Sequence, residues 1–178
     1  AAYHAARQAD PETMLVYNDI DLARYGYDRK RDAVLAFLER ERTAGTPIDA
    51  LGIQSHLRAG ERQLTPSVLT DFISSVRSLG LKVIVSELDV RDDAVAGSPD
   101  RRDRIVAGVA LDYLSTVLAD PSVIGVVTWG LSDRYSYLAE FHPRSDGTLP
   151  RGLPLSDMLV RKPLWHAIVA AFATAPPR

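Results

Sequence analysis

Lys82-Val83-Ile84-Val85-Ser86-Glu87-Leu88 is a run of β-branched residues that turns polar at its end. Such residues favour strands, so 82–88 reads as a buried strand that delivers Glu87, with Asp89 just beyond, to its C-terminal end. Upstream, Thr65-Pro66 opens a helix, with threonine as N-cap and proline at the first helical position. Val68, Leu69, Phe72, Ile73, Val76 and Leu79 stripe that helix, and Gly80 closes it. Downstream, Ser98-Pro99 caps a long helix that ends at Asp120-Pro121, and 123–129 reads as another strand. The same unit recurs towards the N-terminus. A helix over 2–9 precedes a strand over 14–17 that ends in Asn18-Asp19. A helix over 31–43 precedes a strand over 50–54 that runs into Ser55-His56. Beyond 129, a long polar loop from Gly130 to Lys162 leads to a last helix from Pro163 to about Ala173.

Regular strand–helix alternation predicts an α/β fold with parallel strands and crossover helices. The pattern fits both a doubly wound open sheet and a (β/α)8 barrel. A barrel needs eight strands and typically about 250 residues, so four strands make half of one.

The bulk properties narrow the function. The chain has 178 residues, a formal net charge of −2 and 46% hydrophobic residues, the profile of one ordinary globular domain. A near-neutral charge argues against nucleic acid as a partner. No apolar run approaches the roughly 18–20 residues that span a bilayer. Cysteine is absent, which excludes disulfides, zinc–thiolate sites and cysteine nucleophiles. The N-terminal segment AAYHAARQADP has neither the basic nor the apolar region of a signal peptide and begins without methionine; it reads as the start of a processed product or fragment.

Each strand is apolar at its start and polar at its end. Asn18 and Asp19, Gln54 and His56, Glu87 and Asp89, and Trp129 with Asp133 nearby all collect at one rim. Strand alternation puts Gln54 with His56, and Glu87 with Asp89, on common faces. In α/β folds, sites sit at that rim. Taken singly, each residue has a plainer reading: Glu87 as a loop carboxylate paired with an arginine, His56 as a structural histidine, Trp129 as core. Those readings do not predict a shared rim. The cluster Arg101-Arg102-Asp103-Arg104, mixed in sign and near a helix start, reads as a solvated face.

Several of these segments resemble glycoside hydrolase family 10, the endo-1,4-β-xylanases. Val83-Ile84-Val85-Ser86-Glu87-Leu88-Asp89-Val90 is similar to the family's seventh barrel strand, with Ser86 for the usual threonine. Ala50-Leu51-Gly52-Ile53-Gln54-Ser55-His56 resembles its sixth, and Val127-Thr128-Trp129-Gly130-Leu131-Ser132-Asp133 its eighth. Asn18-Asp19-Ile20-Asp21 resembles the Asn-Asp element of the fifth, and Arg161-Lys162-Pro163 the family's closing segment. The likeness spans nearly the whole chain. It implies the C-terminal half of a TIM barrel, strands five to eight, with 1–178 as a partial catalytic domain lacking its N-terminal half.

The resemblance also implies roles. Glu87 is the nucleophile of a retaining glycosidase, with His56 within hydrogen-bond reach and Asp89 behind the imidazole, an arrangement that keeps the carboxylate ionised and aimed. Gln54 orients the nucleophile or a sugar hydroxyl; Trp129 supplies an apolar wall, with Tyr137 nearby and Asn18 at the sugar. Tyr137 stands where the family usually has a second tryptophan. The family's acid/base glutamate lies in a Trp-Asp-x-x-Asn-Glu motif that does not occur in this chain. The partners implied are xylan or xylo-oligosaccharide, together with a missing half-barrel or a second copy; no metal or other cofactor is implied. A polymeric substrate implies secretion or a periplasmic location. The alternatives are another retaining β-glycanase, acting on glucan or a mixed substrate, a non-catalytic carbohydrate-binding or assembly module, and a purely structural domain.

Overall fold

The computed structural model describes residues 1–177. Helix α1 (Ala2–Ala9) leads to strand β1 (Val16–Asp19), helix α2 (Asp28–Thr43) and strand β2 (Ala50–Ile53). A short strand β3 (His56–Arg58), helix α3 (Pro66–Ser78), strand β4 (Lys82–Arg91), helix α4 (Pro99–Val117) and strand β5 (Val123–Thr128) follow. A turn of 3-10 helix (Asp133–Tyr135), helix α5 (Leu138–Phe141) and helix α6 (Pro163–Thr174) complete the order. Ser98 caps α4 with its side chain, whereas Thr65 occupies the N-cap of α3 without a side-chain bond.

All strand pairs are parallel. β1 pairs with β2, β2 with the first half of β4, β3 with the last part of β4, and β5 with the other edge of β4. β2 and β3 therefore act as one interrupted strand, and the sheet is four barrel strands side by side. The crossover helices cover the outer face, which such connections require. Leu51 and Ile53 of β2, Val83 and Val85 of β4, and Leu69, Phe72, Ile73, Val76, Val106 and Leu114 of the helices form a continuous core there.

The structure departs from the sequence-based expectations in three places. The central strand does not stop at Leu88 but continues to Arg91, because β3 supplies a partner for Asp89–Arg91. The strand after α2 breaks at Ser55, a non-glycine residue with φ of 62°. Its hydroxyl is drawn inward, 2.6 Å from the Tyr113 hydroxyl and 3.0 Å from the Ile53 carbonyl, and these bonds hold a backbone conformation that serine rarely adopts. Simple alternation between Gln54 and His56 does not survive that break. Finally, Arg101–Arg104 is not a uniformly solvated face, since Arg102 and Asp103 are buried.

The ionic partners of Asp103 lie in the loop 130–162. Arg151 grips Asp103 with two bonds of 2.8 and 2.7 Å. Lys162, itself buried, reaches Asp103 at 3.4 Å, Asp133 at 2.7 Å and the Arg151 carbonyl at 2.6 Å. Arg102 meets Asp92 at 3.1 Å, and Arg144 approaches the same carboxylate. Asp133 is thus a buried anchor rather than a rim residue. Burial pushes its pKa up to about 6, against the pull of Lys162.

Candidate active site

β4 sets the site through a change of parity. Val83 and Val85 face the core, and regular alternation would send Glu87 there too. Instead Leu88 and Val90 are the next core residues. Between Val85 and Leu88 the strand advances one residue more than its partner β5, where Val126 is followed by Thr128 in the pairing. This bulge carries an extra residue and turns Ser86 and Glu87 together to the inner face.

Asn18 meets both. Its Nδ2 donates to Oε1 of Glu87 at 2.7 Å, and its Oδ1 accepts from the Ser86 hydroxyl at 2.6 Å. Asn18 lies on β1 and Glu87 on β4, so the amide must cross over β2. Gly52 makes that crossing possible: a methyl group at this position would run into the Asn18 amide oxygen. A glycine inside a strand often marks such a close approach.

The other oxygen of Glu87 faces histidine. Nε2 of His56 lies 3.2 Å from Oε2 of Glu87, and its Nδ1 lies 3.1 Å from Oδ2 of the fully buried Asp89. Burial works against a charge on this imidazole, but the Asp89 bond and the charges of Asp89 and Glu87 outweigh it and raise the pKa above its ordinary value. Tyr137, carried on the loop after β5, places its hydroxyl 3.3 Å from the same Nδ1. Trp129 stands edge-on to His56 at 6.3 Å and is about half exposed, so its indole forms an open wall beside the imidazole.

Of the residues expected at the rim, Asn18, His56, Glu87, Asp89, Trp129 and Tyr137 come together. Gln54 directly follows β2, but its side chain makes no hydrogen bond with the described residues; the amide on Glu87 is that of Asn18. Asp19 points away, to Lys30 at 2.8 Å and the Tyr17 hydroxyl at 2.9 Å. Sequence reasoning missed the part of Ser86, which it treated only as a mild replacement, and the passage over Gly52. The glycine inside a strand was the available signal.

What this arrangement can do is chemically narrow. It offers one nearly buried carboxylate with a partner on each oxygen, an aromatic wall, and, among the described residues, no lysine or arginine paired with Glu87. That suits a nucleophile or base acting on a neutral, ring-shaped substrate.

Comparison with known proteins gives the same direction. The model for "Glycosyl hydrolase family 10" matches residues 1–171. Endo-1,4-beta-xylanase 1 of Humicola insolens is 32% identical over 97% of this chain and 38% of its own length. Endo-1,4-beta-xylanase A of Phanerodontia chrysosporium is 28% identical, over 96% of this chain and 39% of its own. Among solved structures, native xylanase 10B from Thermotoga maritima superposes with a TM-score of 0.85 at 26% identity, covering 97% of this chain and 50% of that one. Xylanase 10B from Thermotoga petrophila, solved in complex with xylobiose, gives 0.84 at 25% identity over the same shares. The chain spans about half, or less, of the length of these relatives. Its parallel sheet corresponds to about half of a TIM barrel of that family.

Proposed function

The chain belongs to glycosyl hydrolase family 10, and from that premise we propose that it forms the nucleophile half of a retaining endo-1,4-β-xylanase acting on internal bonds of xylan. The observation that carries this reading is the treatment of Glu87. Asn18 and His56 hold its two oxygens from opposite sides, at 2.7 and 3.2 Å, while Trp129 stands open beside them.

In this reading Glu87 attacks C1 of the xylose unit as the glycosidic C1–O bond breaks, its oxygen leaving with a proton from the acid/base group; water, deprotonated by that same group, then displaces Glu87 from C1. Fixing both oxygens cuts the cost of aligning the attacking lone pair. Asp89 serves through His56, whose ring it orients. Trp129 packs against the apolar face of the sugar, and Gln54, with an uncommitted amide just after β2, is available to a sugar hydroxyl.

Retention requires a second carboxyl group about 5–5.5 Å from the first. The one other carboxylate in this cluster, Asp89, is sealed behind the imidazole and cannot reach a leaving oxygen. The acid/base group must then come from a complementary half-barrel, and residues 1–178 act as a partial catalytic domain. A polymeric substrate too large to import supports a secreted or periplasmic site of action. No helix among the described residues is long and apolar enough to cross a membrane.

The test is a mechanism-based 2-fluoro-xylobiosyl inactivator given to the assembled enzyme. Peptide mass mapping should find the sugar on Glu87; a label on any other side chain would end the reading. Glu87→Gln separates catalysis from a binding-only module. It should abolish xylan hydrolysis by the assembled enzyme while leaving xylan affinity in place, whereas a module that never hydrolysed would show no activity to lose.

A further inference from the structure

The phenol of Tyr137 and the carboxylate of Asp89 both face Nδ1 of His56, and that carboxylate has an oxygen that no described residue satisfies. Asp89 is fully buried; its Oδ2 takes the Nδ1 side of His56, while its Oδ1 has no hydrogen-bond partner among the described residues. A bare carboxylate oxygen in a dry interior is costly, and native sites rarely leave one unanswered. Burial, followed by the charge of Asp89, holds the Tyr137 pKa far above its ordinary value. The phenol is therefore a neutral donor throughout the range in which such a site works.

Nδ1 of His56 carries one hydrogen at most and has two oxygens before it, Asp89 Oδ2 at 3.1 Å and Tyr137 Oη at 3.3 Å. With that hydrogen directed to the pair, the phenol's own hydrogen is free for the Asp89 carboxylate. The ring is well placed to hold it there. It lies edge-on to the imidazole at 5.9 Å and packs on Phe141 at 6.2 Å and His142 at 5.8 Å. The groups that face His56 are Glu87 and Asp89 from β4 and Tyr137 from the loop, with Trp129 at its edge; Arg91 and His142 lie behind the phenol.

We propose that Tyr137 is a positioning residue whose hydroxyl, donated to Asp89, limits that carboxylate's hold on the His56 proton and so governs how His56 presents Nε2 to Glu87. Its ring does not act merely as a sugar platform. This role rests on the reading of Glu87 as nucleophile, but its test does not.

Tyr137→Phe keeps the ring and removes only the donor. In histidine-labelled protein, NMR titration of the four imidazoles, with His56→Gln to assign the signal, reads the effect directly. Losing a hydrogen bond to a buried charge leaves Asp89 more basic, so the His56 pKa should rise by about one unit. In an Asp89→Asn background the His56 pKa should fall, and adding Tyr137→Phe should then change nothing further. An unshifted His56 in Tyr137→Phe, or an equal shift in both backgrounds, overturns the proposal. Should the phenylalanine variant fail to fold, Tyr137→Trp removes the same hydroxyl and must give the same upward shift. A fluorosugar label found elsewhere than Glu87 would leave these titrations standing, so the two failures are distinguishable.

Discussion

At His56, two carboxylates and one imidazole share at most two ring protons, and the energetics follow from which of them the folded state retains. The raised pKa means that the folded protein keeps a proton which the unfolded chain, with an ordinary value of 6.5, releases. The stabilisation is therefore complete below about pH 6.5 and is lost as pH rises through the higher folded-state value. His56→Gln should flatten that part of the stability curve. Urea unfolding at a series of pH values from about 5 to 9 measures it; a slope unchanged by the substitution would go against the charged imidazole. The gathering of His56, Glu87 and Asp89 at a common rim was readable from residue types, and their pairing was what the family resemblance implied. The donor on the far oxygen of Glu87 was not, because Asn18 and Glu87 lie 69 residues apart and meet only when β1 and β4 flank β2.

The elements act by what they allow past them. β2 allows the Asn18 amide through because Gly52 has no side chain. Gly52→Ala should displace Asn18 from Glu87 and cost about 1–3 kcal/mol of stability through overpacking. In the assembled enzyme it should, on the proposed mechanism, also lower kcat more than it raises KM, since Glu87 loses its aim while Trp129 stays in place. Steady-state kinetics beside a thermal melt would separate the two effects, and a variant with native kcat would remove Asn18 from the mechanism. The loop 130–162 is held by charge. Lys162 neutralises Asp133 and Asp103 in a buried setting, so Lys162→Met should cost about 3–5 kcal/mol and free the segment that carries Tyr137. Denaturant unfolding would register the loss; a cost below about 1 kcal/mol, the worth of an exposed pair, would show that the network does not anchor the loop. Strand and helix positions followed from hydrophobic period. The bulge at Ser86-Glu87 and the knot around Lys162 did not, because both depend on register and pairing between segments distant in sequence.

For the molecule as a whole, the decisive surface is the pair of strands that lack a neighbour. Among the described residues β1 pairs only with β2, and β5 only with β4, so each presents a row of open backbone donors and acceptors. Beside these edges, Met14, Ile124 and Val127 are exposed apolar side chains. Closure of a barrel removes such edges altogether, and the relatives that this chain matches are about twice its length. The 178-residue chain alone should therefore self-associate, and sedimentation in dilute solution would reveal it; a clean monomer with protected β1 and β5 amides would refute the claim. The same edges should accept strands one to four of a related barrel supplied as a separate polypeptide. Mixing should convert the associated species into a one-to-one complex and, since that half brings the missing carboxylic acid, should restore xylan hydrolysis absent from either piece. Recovery of a complex without activity would place the fault in the site rather than in the fold. Activity in the isolated chain would mean that a group within residues 1–178 performs the acid step that Asp89 is too deeply buried to perform.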